Sequence, residues 1–129
     1  MTRSSLLSLV VSTALGVVIV ADDNGDWTGF GTWGLPACAL VYLVVGLARG
    51  FAKRPRVLAV QAAGVPAFTG LALAALSLAP EVGRYVVAAG WLAHAAWDLV
   101  HYRARLVVPR WYALACVVVD TFVGVSLVW

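Results

Sequence analysis

Apolar runs close to twenty residues long, parted by short runs of arginine, lysine or aspartate, make up almost all of this 129-residue chain. A bilayer core of about 30 Å takes roughly 20 apolar residues at about 1.5 Å of helical rise each. The pattern therefore predicts membrane-spanning helices, and five are read, over residues 6–21, 33–50, 57–79, 82–102 and 111–129. Composition agrees. Hydrophobic residues are 63% of the chain and charged ones 12%, against about half and about a quarter in soluble domains. A soluble domain of this size has too little interior to hide so much apolar surface. The expectation is one all-α, polytopic integral membrane domain. The bias toward Arg, Ala, Val and Gly further suggests a GC-rich bacterial genome, and so a bacterial inner membrane.

The first run also fits a cleaved signal peptide, because Arg3 precedes its apolar core. Its end, Val18-Ile19-Val20-Ala21, is a poor cleavage site and is followed at once by Asp22 and Asp23. A retained span is expected. Orientation follows from the basic residues. Arg3, Arg49, Lys53, Arg54, Arg56, Arg103, Arg105 and Arg110 all fall on one side of a five-span chain. Arg84 alone falls on the other, with Glu81, Asp22, Asp23 and Asp26. By the positive-inside rule the amino terminus is cytoplasmic and the carboxyl terminus external. The net charge of +3 thus reports topology and predicts no nucleic-acid partner. Trp27, Trp33, Trp111 and Trp129 fall near span ends, where indoles anchor at headgroups.

Sliding the chain along itself by 54 residues matches Arg49 with Arg103, Pro55-Arg56 with Pro109-Arg110, Phe68 with Phe122 and Gly70 with Gly124. This predicts a tandem repeat of two parallel-related hairpins, spans 2–3 and 4–5, behind an N-terminal span. Parallel repeats often put a site at their interface. Opposite His94, Asp98 and His101 the first hairpin carries Leu40, Val44 and Leu47, and opposite Asp120 it carries Pro66. The activity is therefore expected on the second hairpin, with the first as scaffold. Pro66 removes a backbone donor near mid-span, and Gly64 and Gly70 would let helices approach closely.

The stretch WLAHAAWDLVH, residues 91–101, concentrates the chemistry. Residues three and four apart share a helix face, so Trp91, His94, Asp98 and His101 form one stripe with Trp97 at its flank. Leu92, Ala96 and Leu99 form the opposite side. Counting back from the 103–110 turn brings Asp120 level with Trp91 and His94. Cys116 and Gly124 share its face.

Three uses of these groups are weighed. As an enzyme or binder for an isoprenoid or similar lipid-like molecule, His94, Asp98 and Asp120 would do acid/base work. Trp91, Trp97, His101 and Cys116 would then hold the substrate. As a transporter or channel they would relay protons or bind a small solute, which five helices would need a homo-oligomer to support. As a metal site, His94, Asp98, His101 and Asp120 would ligate a divalent cation, without a second His-rich motif to support it. Haem held by both histidines is excluded, since they lie about 10 Å apart along one helix. The remaining reading is structural, with polar residues acting as glue between helices. Cys38 and Cys116 fall about 15 Å apart in depth, too far for a disulfide. ADDNGDW, residues 21–27, starts like a calcium loop but lacks its length and closing Glu.

Overall fold

A computed structural model describes residues 3–22 and 26–129. The fold is all-α. Five helices run through the described residues: α1 (Arg3–Asp22), α2 (Thr32–Ala48), α3 (Pro55–Ser77), α4 (Pro80–Ala104) and α5 (Arg110–Ser126). Their ends follow from local chemistry. Pro55 and Pro80 open α3 and α4, where a missing N–H costs nothing and the fixed φ suits the first turn. Pro109 precedes α5. Gly50 takes φ 82° just past α2, a left-handed conformation that glycine adopts without a Cβ clash. The five helices fall on the five apolar runs of the sequence, with one difference at the start of the second. There a wide turn, Trp27–Gly31, leads into α2, and Gly29 breaks its helical geometry at φ −82°, ψ −112°. Asp26 caps this turn by accepting hydrogen bonds from the backbone N–H and hydroxyl of Thr28. These bonds hold the Asp26 carboxyl below its usual pKa. The rest of the calcium-like stretch, residues 23–25, lies outside the described residues.

The helices pack in the order α2, α3, α4, α5, α1, with α2 also touching α4. The N-terminal helix thus lands on the last one. Its Ser8 hydroxyl donates to the Trp111 carbonyl at 2.7 Å, and Phe122 packs against Gly16. Both contacts join equivalent ends, so α1 and α5 run parallel. The α2 and α4 ends are also tied together: Arg49 Nη1 donates at 2.6 Å to the carbonyl of Val107 in the α4–α5 loop. Val107 is fully buried at φ 65°, a conformation disfavoured for a β-branched residue. The Arg49 bond and the surrounding packing hold it there. These contacts gather Arg3, the 49–56 turn and the 103–110 turn at one end of the bundle.

Two stretches, Trp27–Ala48 and Pro55–Ser77, are long and apolar enough to cross a membrane by length and composition, and Ser5–Ala21 is a shorter apolar helix. In α4 the apolar character is diluted by His94, Asp98 and His101 themselves. Helix α5 has only 17 residues.

The two hairpins are present, but the 54-residue register does not superpose their inward faces. Helix α2 turns Leu35, Ala39, Tyr42 and Gly46 inward. The matched residues of α4 are Ala89, Ala93, Ala96 and Val100, all exposed. Leu40, Val44 and Leu47 point outward where His94, Asp98 and His101 point inward. Pro66 is exposed where Asp120 is buried. The first hairpin therefore does not test whether the fold needs those polar groups, because its matched positions never face the core. Gly64 does sit against the Trp97 ring, but a Cβ on Gly70 would meet nothing within 4 Å.

Candidate functional site

The inward face of α4 is the polar stripe. Trp91, His94, Asp98 and His101 are all buried, while Leu92, Ala96 and Leu99 are exposed, as the 3.6-residue period requires. Trp91 is anchored first. Its indole N–H donates to the Gly31 carbonyl, and its ring stacks on Phe30 with centroids 5.8 Å apart. This position needs Gly34, because a Cβ there would stand 2.7 Å from the ring.

One turn further along, His94 holds the centre. Its Nδ1 lies 2.6 Å from Asp120 Oδ2 on α5 and 3.4 Å from Asp98 Oδ2 on its own helix. The first is a short hydrogen bond in which Nδ1–H donates to the carboxylate. The imidazole meets Phe68 and Tyr42 edge-on, at centroid distances of 5.0 and 5.8 Å. Its Nε2 has no hydrogen-bond partner among the described residues. Asp98 is fully buried and neither of its oxygens has one. The Tyr42 hydroxyl faces Asp98 without a well-formed bond. Sequence reasoning thus located His94, Asp98 and Asp120 together, including the level of Asp120 across the turn.

His101 belongs to a separate arrangement. Its Nδ1 lies 2.8 Å from the Trp97 carbonyl and its Nε2 2.9 Å from the Gln61 amide nitrogen. A carbonyl can only accept and an amide nitrogen can only donate. The ring is therefore the neutral tautomer with its proton on Nδ1. Trp97 stacks on His101 at 5.2 Å and lies against Gly64 of α3. Both residues face α3 rather than the cavity described next.

That cavity has a volume of about 670 Å³ and runs between α1 and α5, with Phe30, Cys38 and Trp91 closing its far wall. Leu7, Val11 and Leu15 on its α1 side are more than half exposed, so it opens sideways from the bundle. Asp120 is the one charged residue among the described residues lining it. Cys116 and Cys38 both line it, so the two thiols share one space that the depth estimate had divided. Pockets of about 300–1,000 Å³ that are mostly apolar with a few convergent polar groups are the usual form of small-molecule sites.

Sequence reasoning placed Trp91, Cys116 and Asp120 on this cavity's side. It missed Tyr42, Gln61, Phe68 and the α1 wall. Gln61 carried a signal, as the only glutamine in the chain, set in an apolar run. Tyr42 and the α1 residues carried none, because an aromatic or a leucine in an apolar helix is unremarkable. Chemically, a carboxyl group facing an apolar space and backed by an imidazole can give or take a proton at a bound molecule. Comparison with protein-family models, curated proteins and solved structures finds no match for this chain.

Proposed function

We propose that the chain is a five-span inner-membrane protein that admits a lipid-like, isoprenoid-type molecule through the side of the bundle. Asp120, oriented and proton-coupled by His94, acts as acid or base on that molecule's polar or reacting group. The observation that carries the proposal is the laterally open apolar cavity with Asp120 as the one charged group among the described residues that line it.

The membrane setting is supported by an inverted distribution of residues. Leu6, Val10, Val18, Val44, Val60 and Val100 are all at least half exposed, while His94, Asp98, Gln61 and Asp120 are buried. Water would penalise that surface, and soluble monomers rarely expose such large apolar patches. Hydrocarbon would not. The eight basic residues collected at one end of the bundle support a cytoplasmic amino terminus and an external carboxyl terminus.

The experiment is native mass spectrometry of the protein purified in mild detergent, with its lipids retained. The wild type should carry one apolar adduct per chain. Ala115→Phe, which fills the cavity without touching an ionisable group, should lose it. Asp120→Asn should lose it or hold a chemically different species. A folded wild type without an adduct would sink the reading. The same molecule bound equally to wild type and Asp120→Asn would remove the role given to Asp120.

A further inference from the structure

Asp98 has no task in the acid/base pair, yet it is fully buried with no hydrogen bond to either oxygen, its Oδ2 lying 3.4 Å from His94 Nδ1. A buried carboxyl in that setting either keeps its proton or gives it up to a cation, because desolvation of an unpaired anion costs several kcal/mol. His94 cannot serve both acids, since its Nδ1 is already committed to Asp120 at 2.6 Å. With both carboxyls deprotonated and the imidazole neutral, the three side chains would carry −2, which one divalent cation balances completely.

The geometry points to such an ion: we infer that His94, Asp98 and Asp120 bind one divalent transition-metal cation of the zinc, manganese or iron(II) kind, behind the cavity wall. One donor atom from each of the three lies within 4.8 Å of the others, and all three residues are buried. Metal–ligand bonds of about 2.0–2.2 Å place neighbouring tetrahedral donors roughly 3.3–3.5 Å apart. The His94 Nδ1–Asp98 Oδ2 separation, 3.4 Å, already matches. The His94–Asp120 hydrogen bond would open slightly as the ion replaces its proton. The donor set of one imidazole and two carboxylates suits borderline and hard divalent ions rather than soft ones. A second observation stands outside the three ligands. The Tyr42 hydroxyl, on a side chain 1% exposed, faces Asp98 and has no hydrogen-bond partner of its own, so it is free to brace a ligating carboxylate. His101 is not part of the set, because Gln61 and the Trp97 carbonyl occupy both its nitrogens.

In the loaded protein the ion, in place of the shared proton, would couple His94 to Asp120; whether a metal binds and what fills the cavity are tested separately. Protein in detergent is stripped with chelator, dialysed against Zn²⁺ or Mn²⁺ and assayed for bound metal. One ion per chain is expected in the wild type, with affinity at least tenfold weaker in Asp98→Asn. Electron spin-echo modulation of Mn²⁺ bound to the wild type should show coupling to one imidazole nitrogen. That arm decides alone if the variant does not fold. Absence of stoichiometric metal, binding unchanged in folded Asp98→Asn, or no nitrogen coupling would each overturn the site. Lipid bound without metal would reject this inference and leave the proposed function standing. Metal bound without lipid would do the reverse.

Discussion

The α2–α3 and α4–α5 hairpins are built alike from the outside and differently within. Each joins two apolar helices through a basic turn, yet α2 packs through Leu35, Ala39, Tyr42 and Gly46 while α4 packs through Trp91, His94, Asp98 and His101. A hairpin of this kind can close mostly on small and apolar residues, as the first one does with Thr32 and Gln61 as its buried uncharged polar side chains. The second takes on the desolvation of two carboxylates and two imidazoles. The two inward faces thus differ in chemistry, and removing the polar row tests whether packing needs it.

The comparison breaks most visibly at Asp120. Asp120→Leu alone should cost about 3–5 kcal/mol, because it strands the partners of a buried pair. Replacing His94, Asp98 and Asp120 together by leucine should restore or exceed wild-type thermal stability while abolishing adduct binding. A triple variant that is much less stable than the wild type would show that the row is needed for packing after all. Next in size is Gly34→Ala. The new Cβ would stand 2.7 Å from the Trp91 ring, and overpacking of this kind costs about 1–3 kcal/mol. Tryptophan fluorescence should shift with the melting temperature as the indole leaves the Gly31 carbonyl.

A smaller effect separates the matched glycines 70 and 124. Gly70→Ala meets open space and should stabilise its helix by roughly 1 kcal/mol through propensity. At Gly124 the new Cβ would lie 3.0 Å from the Leu92 side chain and 3.2 Å from the Ala88 carbonyl. Gly124→Ala should therefore gain nothing or lose stability, and equal gains at both would contradict the different packing of the two hairpins. The smallest effect lies outside both, at Asp26. Its folded pKa is lowered by its bonds to Thr28, so its contribution is full above the usual carboxylate pKa and fades as pH falls through the lowered value. Asp26→Ala should melt slightly below the wild type at neutral pH, and the gap should close in acid.

Much of the bundle was legible in the sequence because the signals are local. Apolar run length gave the five helices, and the 3.6-residue period put His94 and Asp98 on one inward face. Even the His94–Asp120 meeting followed from counting residues across a tight turn. The matched runs 54 residues apart were a weaker guide. They compared residue types along the chain without knowing which way each helix was rotated.

That rotation is where the sequence stopped. Composition and periodicity by themselves determined an all-helical chain with a basic end and a carboxylate–imidazole centre, since these depend on neighbours within a few turns. Only the tertiary structure decided that α1 returns to α5 and opens a cavity onto Asp120. It alone brought Gln61 to His101 and Tyr42 to Asp98. The reason is steric: the close fit of Trp91 over Gly34, of Trp97 against Gly64 and of Phe122 against Gly16 sets the helix rotations. Each of those fits joins residues at least 33 positions apart, beyond the reach of any local pattern.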